Sequence, residues 1–212
     1  MKRSAAVDPG GSAPPGTGER DPARLDLDPS EYRRTFGLFP SGVAVIAAEF
    51  GGTVHAMTAN AVISLSLEPA LVLFCASRRS KFASGLHLPP GASRLEGFSI
   101  NFLREDQEAL ATYFAGAWRA PLAPPFRLVA GRFAPRLEGS LASVDCERHE
   151  ILEGGDHWIV IGRARGIHRG IGPYRPLLFF RGQYRRVDES PGQPAPDLAA
   201  VREEPAHINY ER

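Results

Sequence analysis

The run Ser77-Arg78-Arg79-Ser80-Lys81 places two hydroxyls and three cations where a helix is expected to start, directly after the apolar stretch Leu71–Cys75. Free N–H groups and cationic side chains in that setting suit a phosphate group. A capped helix with solvated charges would use the same residues. Other polar residues fall at expected strand ends. Met57-Thr58-Ala59-Asn60 is followed by Ser64, Asn101 interrupts an apolar strand, and Gly154-Gly155-Asp156 reads as a turn that delivers His157 to the first position of a strand. Each has a plain structural alternative. Thr58 and Asn60 can satisfy a turn, Asn101 can be a hydrogen-bonded core amide, and His157 can simply open a hairpin strand. Tyr184 can be a packing ring with its hydroxyl at a rim, and Cys75 and Cys146 can be small buried hydrophobes.

Several chemistries lack their signatures. No G-x-G-x-x-G follows a strand, and the P-loop, G-x-S-x-G and H-E-x-x-H patterns are missing. The six histidines, at positions 55, 87, 149, 157, 168 and 207, form no pair at the short spacings of a metal site, so no metal is expected.

The elements that must position these residues occupy the middle of the chain. Its 212 residues are 43% hydrophobic, which suits one domain with tails. Lys+Arg is 25 against Asp+Glu 24, a balance that disfavours nucleic acid as a partner. No apolar run approaches the roughly 20 residues of a membrane span, and no signal-peptide core is visible. A cytoplasmic protein with no membrane partner is expected. Residues 1–27 and 189–212 are rich in Pro and Gly or in polar residues and read as disordered tails, leaving a body at 28–188. Asp28 as N-cap, Pro29 and Glu31 open a helix carrying Tyr32, Phe36 and Phe39. Short apolar segments then read as strands: 42–48, 54–59, 61–67, 71–76, 98–103, 141–152, 157–164 and 177–185. One further helix is expected near Ser80 and another over 105–115, ended by Gly116. About eight strands with few helices exclude a doubly wound sheet and favour a closed antiparallel barrel.

Taken in order, these segments resemble the flavin reductase-like family, whose fold is the FMN-binding split barrel, an antiparallel barrel of Greek-key type. The resemblance runs through Phe39-Pro40-Ser41-Gly42-Val43-Ala44-Val45, Met57–Asn60, Ser64–Pro69, Leu71–Cys75 with Ser77–Lys81, and Gly97–Asn101. It continues with Asp106–Ala111 and Phe114–Gly116, then Gly155–Gly162 and Phe179–Tyr184. It implies an NAD(P)H:flavin oxidoreductase that passes hydride to FMN or FAD and supplies reduced flavin to a partner monooxygenase. A flavin-keeping protein of the same fold without nicotinamide turnover is the alternative, and an unrelated barrel binding a small apolar ligand is a third. The resemblance implies that Met57, Thr58, Ala59 and Asn60 line the flavin ring and ribityl chain, with Ser64, Cys75, Ala76 and Ser77 nearby. Arg78, Ser80 and Lys81 would hold the phosphate, Asn101 and Phe102 would lie along the flavin, and His157 and Tyr184 would border the nicotinamide, His157 in the catalytic position. A homodimer is implied in the same way. The link Leu86–Leu95 is longer and richer in proline than usual, and Ala61 replaces a frequent hydroxyl.

Overall fold

The computed structural model describes residues 27–86, 95–172 and 175–188. The expected tails, apart from Leu27, and most of the proline-rich link Leu86–Leu95 lie outside those residues. The chain divides into two units, one ending at Phe36 and one starting at Gly37. In the first, α1 (Pro29–Phe36) starts where Asp28 accepts the Ser30 backbone N–H at 2.9 Å and the Ser30 hydroxyl at 2.5 Å. That capping holds the Asp28 carboxyl below its ordinary range. The helix stops before Gly37 and does not reach Phe39.

In the second unit the strands are β1 (Ser41–Gly42), β2 (Ala44–Phe50), β3 (Thr53–Ala59), β4 (Val62–Leu67) and β5 (Ala70–Ser77). Next come α2 (Lys81–Leu86), β6 (Gly97–Phe102), α3 (Glu108–Phe114), β7 (Leu128–Val129) and β8 (Arg136–Leu137). The chain closes with β9 (Ala142–Gly154), β10 (His157–Arg169), β11 (Leu178–Phe180) and β12 (Gln183–Arg185). Seven strands form one antiparallel sheet in the order β3-β2-β6-β9-β10-β5-β4, beside a sheet β1-β11-β12 and the pair β7-β8. The mainly β, antiparallel expectation therefore stands. The hydrogen-bonded order ends at β3 and β4, which do not pair with each other among the described residues.

Two elements differ from the sequence expectation for local reasons. The single strand expected over 177–185 is a hairpin, because Arg181 and Gly182 take φ of 52° and 74°, the left-handed pair that a tight two-residue turn requires. Strand β10 runs past Ala164 to Arg169, and its register shifts between Ala164 and Gly166, which breaks the alternation that would mark one continuous strand.

The middle of the main sheet, around β2 and β6, is buried on both sides. One face packs Ile46, Phe74, Phe82, Phe98, Ile100 and Val160. Phe98 meets Phe74 edge-on at 4.9 Å. A Cβ on Gly162 would stand 2.4 Å from Phe98 Cζ, so only glycine admits that ring. The other face packs Val43, Val45, Leu103, Leu110, Leu137 and Leu177. Among the described residues no helix is long and apolar enough to cross a membrane.

Candidate functional site

Three distant segments meet where β5 ends. His157, the first residue of β10, sits in register with Ser77, the last of β5. Just beyond the ladder, Arg78 donates its backbone N–H to the Asp156 carbonyl at 3.0 Å. On the other side Cys75 donates to the Ala61 carbonyl at 3.1 Å. The residue after Asn60 is thus fixed against the end of β5, and Met57–Asn60, Cys75–Lys81 and Asp156–His157 share one junction.

A cleft of about 250 Å³ opens at Asn60 and is lined by Val43, Thr58, Asn60, Ala115, Phe179 and Tyr184. Thr58 is held by donating its hydroxyl to the Ala111 carbonyl of α3 at 2.6 Å. Tyr184 packs edge-on against Phe179 at 5.6 Å, and the Thr112 side chain is near enough to its phenol to influence it. Burial, the largest influence, raises the pKa of that phenol, so it stays protonated near neutral pH. Tyr184 also borders a second cleft of about 320 Å³ with Glu108, Leu177, Arg185 and Arg186. Val43, Ala115 and Phe179 escape identification by residue type, because small and apolar residues carry no chemical signal of their own.

The cationic run keeps both of its possible characters. Ser80 caps α2 by accepting the Ala83 N–H at 3.0 Å, and Ser77 accepts the Arg79 N–H at 3.4 Å. Each hydroxyl retains its own proton to donate. Helix α2 has only six residues, so its dipole adds little, and the attraction for anions rests on Arg78, Arg79 and Lys81. The Arg78 guanidinium lies 3.9 Å over the Trp158 ring and 3.4 Å from the Glu153 carboxylate.

His157 is about half exposed, and its Nδ1 stands 2.7 Å from the Asp156 carboxylate. The hydrogen bond to His157 is the main reason the Asp156 carboxyl sits below its ordinary range. This pairing was not legible in the sequence. Burial raises the Cys75 thiol and pushes Cys146 up to about 12, so neither supplies a thiolate near neutral pH. Cys146 and His149 have the spacing of metal ligands in the sequence. They lie three apart on one strand, however, with Cys146 buried and His149 exposed. No group of three metal-ligating side chains occurs among the described residues.

Other expected site residues stand elsewhere or in supporting positions. Ala59 and Ala76 are buried in the first core, with Met57 and Phe102 packed against it. Ser64 is exposed on the edge strand β4. Asn101 requires a correction, because its side chain is fully buried and fully used. It donates to the Val45 carbonyl and the Ser99 hydroxyl, each at 3.0 Å, and accepts from Leu137 N–H at 2.9 Å and the Ser143 hydroxyl at 2.8 Å. Two donors and two acceptors exhaust a carboxamide's usual bonds, leaving none for a ligand.

Against known proteins, the family model described as "Flavin reductase like domain" matches residues 36–188. The reductase component of a 4-hydroxyphenylacetate 3-monooxygenase from Thermus thermophilus is 38% identical, covering 74% of this chain and 95% of its own. HsaB, the reductase subunit of a flavin-dependent monooxygenase from Rhodococcus jostii, is 33% identical over 85% of this chain and 89% of its own. Among solved structures, the NADH:FAD oxidoreductase SgcE6 of Streptomyces globisporus, in complex with NAD and FAD fragments, superposes with a TM-score of 0.66 at 32% identity. It covers 80% of this chain and all of that one.

The four bonds of Asn101 set an expectation. Asn101→Ala should lower the unfolding free energy by about 2–4 kcal/mol, since buried partners lose their bonds together. Urea denaturation measures this; unchanged stability with lost flavin affinity would restore a ligand role.

Proposed function

This chain belongs to the flavin reductase-like family, and on that premise we propose that it passes hydride from NADH or NADPH to FMN or FAD and supplies reduced flavin to a partner monooxygenase. The observation that carries the reading is the junction of the Ala61–Cys75 bond and the Ser77–His157 register. It joins an aromatic-walled cleft to a cationic run, the two environments that a ring bearing a phosphorylated tail requires. The residues present fit such a ligand. The cleft offers the Tyr184 and Phe179 rings beside the polar groups of Thr58 and Asn60, and its edge leads toward Ser77–Lys81.

A bound flavin supplies the hydride acceptor, and the protein's part is to bind, stack and exclude water. Thr58 and Asn60, with the backbone of Met57–Asn60, border the ring and ribityl chain, and Ser64, Cys75, Ala76 and Ser77 form the surroundings. Arg78, Ser80 and Lys81 hold the phosphate by charge-assisted hydrogen bonds. Phe102 supports the cleft from the core, and Asn101 acts only as an anchor. His157 turns Nδ1 to Asp156 and offers Nε2 to the nicotinamide, fixing its approach. Tyr184 closes the same side.

The finer architecture we propose is the split barrel of Greek-key type over residues 28–188, with residues 1–27 and 189–212 as accessory tails, in a cytoplasmic homodimer. The dimer has a candidate face. Ile63, Leu73 and Ile161 lie side by side across β4, β5 and β10, and Cys75, Ile159 and Leu152 form the next row. Ile63 and Leu152 are exposed in the single chain, and a second copy would cover this apolar sheet face.

The test is NADH or NADPH oxidation followed at 340 nm with increasing FMN or FAD. Turnover should rise and saturate with flavin, whereas bound flavin without nicotinamide oxidation would overturn the reading. His157→Ala should slow anaerobic flavin reduction by about ten- to a hundredfold while flavin affinity changes little, since a misplacement of about 1 Å has that order of effect. An unchanged reduction rate across NADH concentrations would remove His157 from the site.

A further inference from the structure

The Arg78 guanidinium is already engaged on two sides. Trp158 is in register with Ala76 on β5 and with Glu153 on β9, so these three side chains form a row on one face of the sheet. Arg78, two residues beyond Ala76, lies over that row. Its Cζ rests 3.9 Å from the centre of the indole, and its Nη2 stands 3.4 Å from Glu153 Oε2. The indole packs against the first core, so it is a fixed platform. The Glu153 side chain is 75% exposed and can swing away. The neighbouring arginine also has an acidic neighbour, because Arg79 adds a smaller contribution to the lowering of Asp156, whose main cause is the bond to His157.

We propose that Glu153 competes with the flavin phosphate for Arg78 and thereby weakens the binding of phosphorylated flavins, favouring their release. Trp158 holds the guanidinium in place in both states, so the exchange is between two anions on one preset cation. A phosphate with nearly two negative charges and three acceptor oxygens displaces a single exposed carboxylate. It binds more weakly than it would to an unpaired arginine, because the existing pair must part and Glu153 then repels the incoming charge. A flavin handed to a second protein must leave, and a built-in competitor at its tail shortens its stay without touching the ring. The inference rests on the reading of Ser77–Lys81 as the phosphate site.

The experiment measures FMN and riboflavin affinity, and FMN release by stopped flow, for the wild type, Glu153→Gln, Arg78→Ala and the double variant. Glu49→Gln on β2 removes the same charge from another exposed position and serves as control. Glu153→Gln should tighten FMN by roughly three- to tenfold and slow its release by a similar factor, less so at high salt, as expected for an exposed pair. Riboflavin should not change, nor should FMN binding by Glu49→Gln, and most of the gain from Glu153→Gln should disappear once Arg78 is Ala, leaving the smaller part that comes from direct repulsion. Unchanged FMN affinity in Glu153→Gln, or an equal gain for riboflavin or in Glu49→Gln, overturns the proposal while leaving the phosphate site intact. If the wild type binds FMN and riboflavin equally and Arg78→Ala alters neither, the phosphate site itself fails and takes this proposal with it.

Discussion

An antiparallel ladder must end somewhere, and the backbone groups at its end still need partners. In this protein the ladder between β5 and β10 ends at Ser77 and His157, and its loose ends are tied by the Arg78–Asp156 bond and the Cys75–Ala61 bond. Those few hydrogen bonds bring three segments to one place although almost a hundred residues separate the first from the last. The cationic run, the polar end of β3 and the Asp156–His157 pair stand at one junction only because the backbone is closed in this way. A slip of β10 by one residue against β5 would send His157 and Ile159 to the opposite face.

A second constraint supports the first. The middle of the sheet is covered on both sides, so Ser99 and Asn101 of β6 and Ser143 and Asp145 of β9 cannot turn to water. Ser99 donates to the Pro135 carbonyl at 2.6 Å, and Asn101 ties β2, β8 and β9 together. Asp145, also buried, bonds His168 at 2.9 Å. The Ser99 and Asn101 bonds hold the segment that carries β8 down on the sheet, beside the Val45 and Leu137 core on which α3 rests. Since Thr58 is fixed through α3 and Ala115 follows that helix, the rigidity of the cleft depends on a polar layer beneath it. The Tyr184 wall of the cleft, by contrast, is set by the short β11–β12 hairpin.

Much of this was legible in the sequence where the signal is local. The Asp28 cap, the Gly154–Asp156 turn, the alternation of Phe98 to Phe102 and the Ser77–Lys81 run each depend on neighbours within a few residues. Features that depend on distant register were not legible. Asn101 looks the same in sequence whether it faces a ligand or a core. Its environment is settled by Leu137 and Ser143, some forty residues away, and by a segment whose strands have only two residues each. The Arg78–Trp158–Glu153 stack needs the pairing of both hairpin strands and of β5, and no spacing in the sequence encodes it. Val43 and Phe179 carry no chemistry, so only the folded cleft reveals them. The ordered set of motifs read as a family resemblance nevertheless agrees with the family that the chain belongs to.

The central claim is that one ligand spans the junction, with its ring at the β3 end and its phosphate at the β5 end. Amide hydrogen exchange in the presence of FMN and of riboflavin tests this most directly. FMN should slow exchange in both 57–61 and 77–81, whereas riboflavin should slow it in 57–61 and leave 77–81 nearly as in the free protein. Protection by FMN that omits either segment, or identical protection of 77–81 by both ligands, would contradict the account.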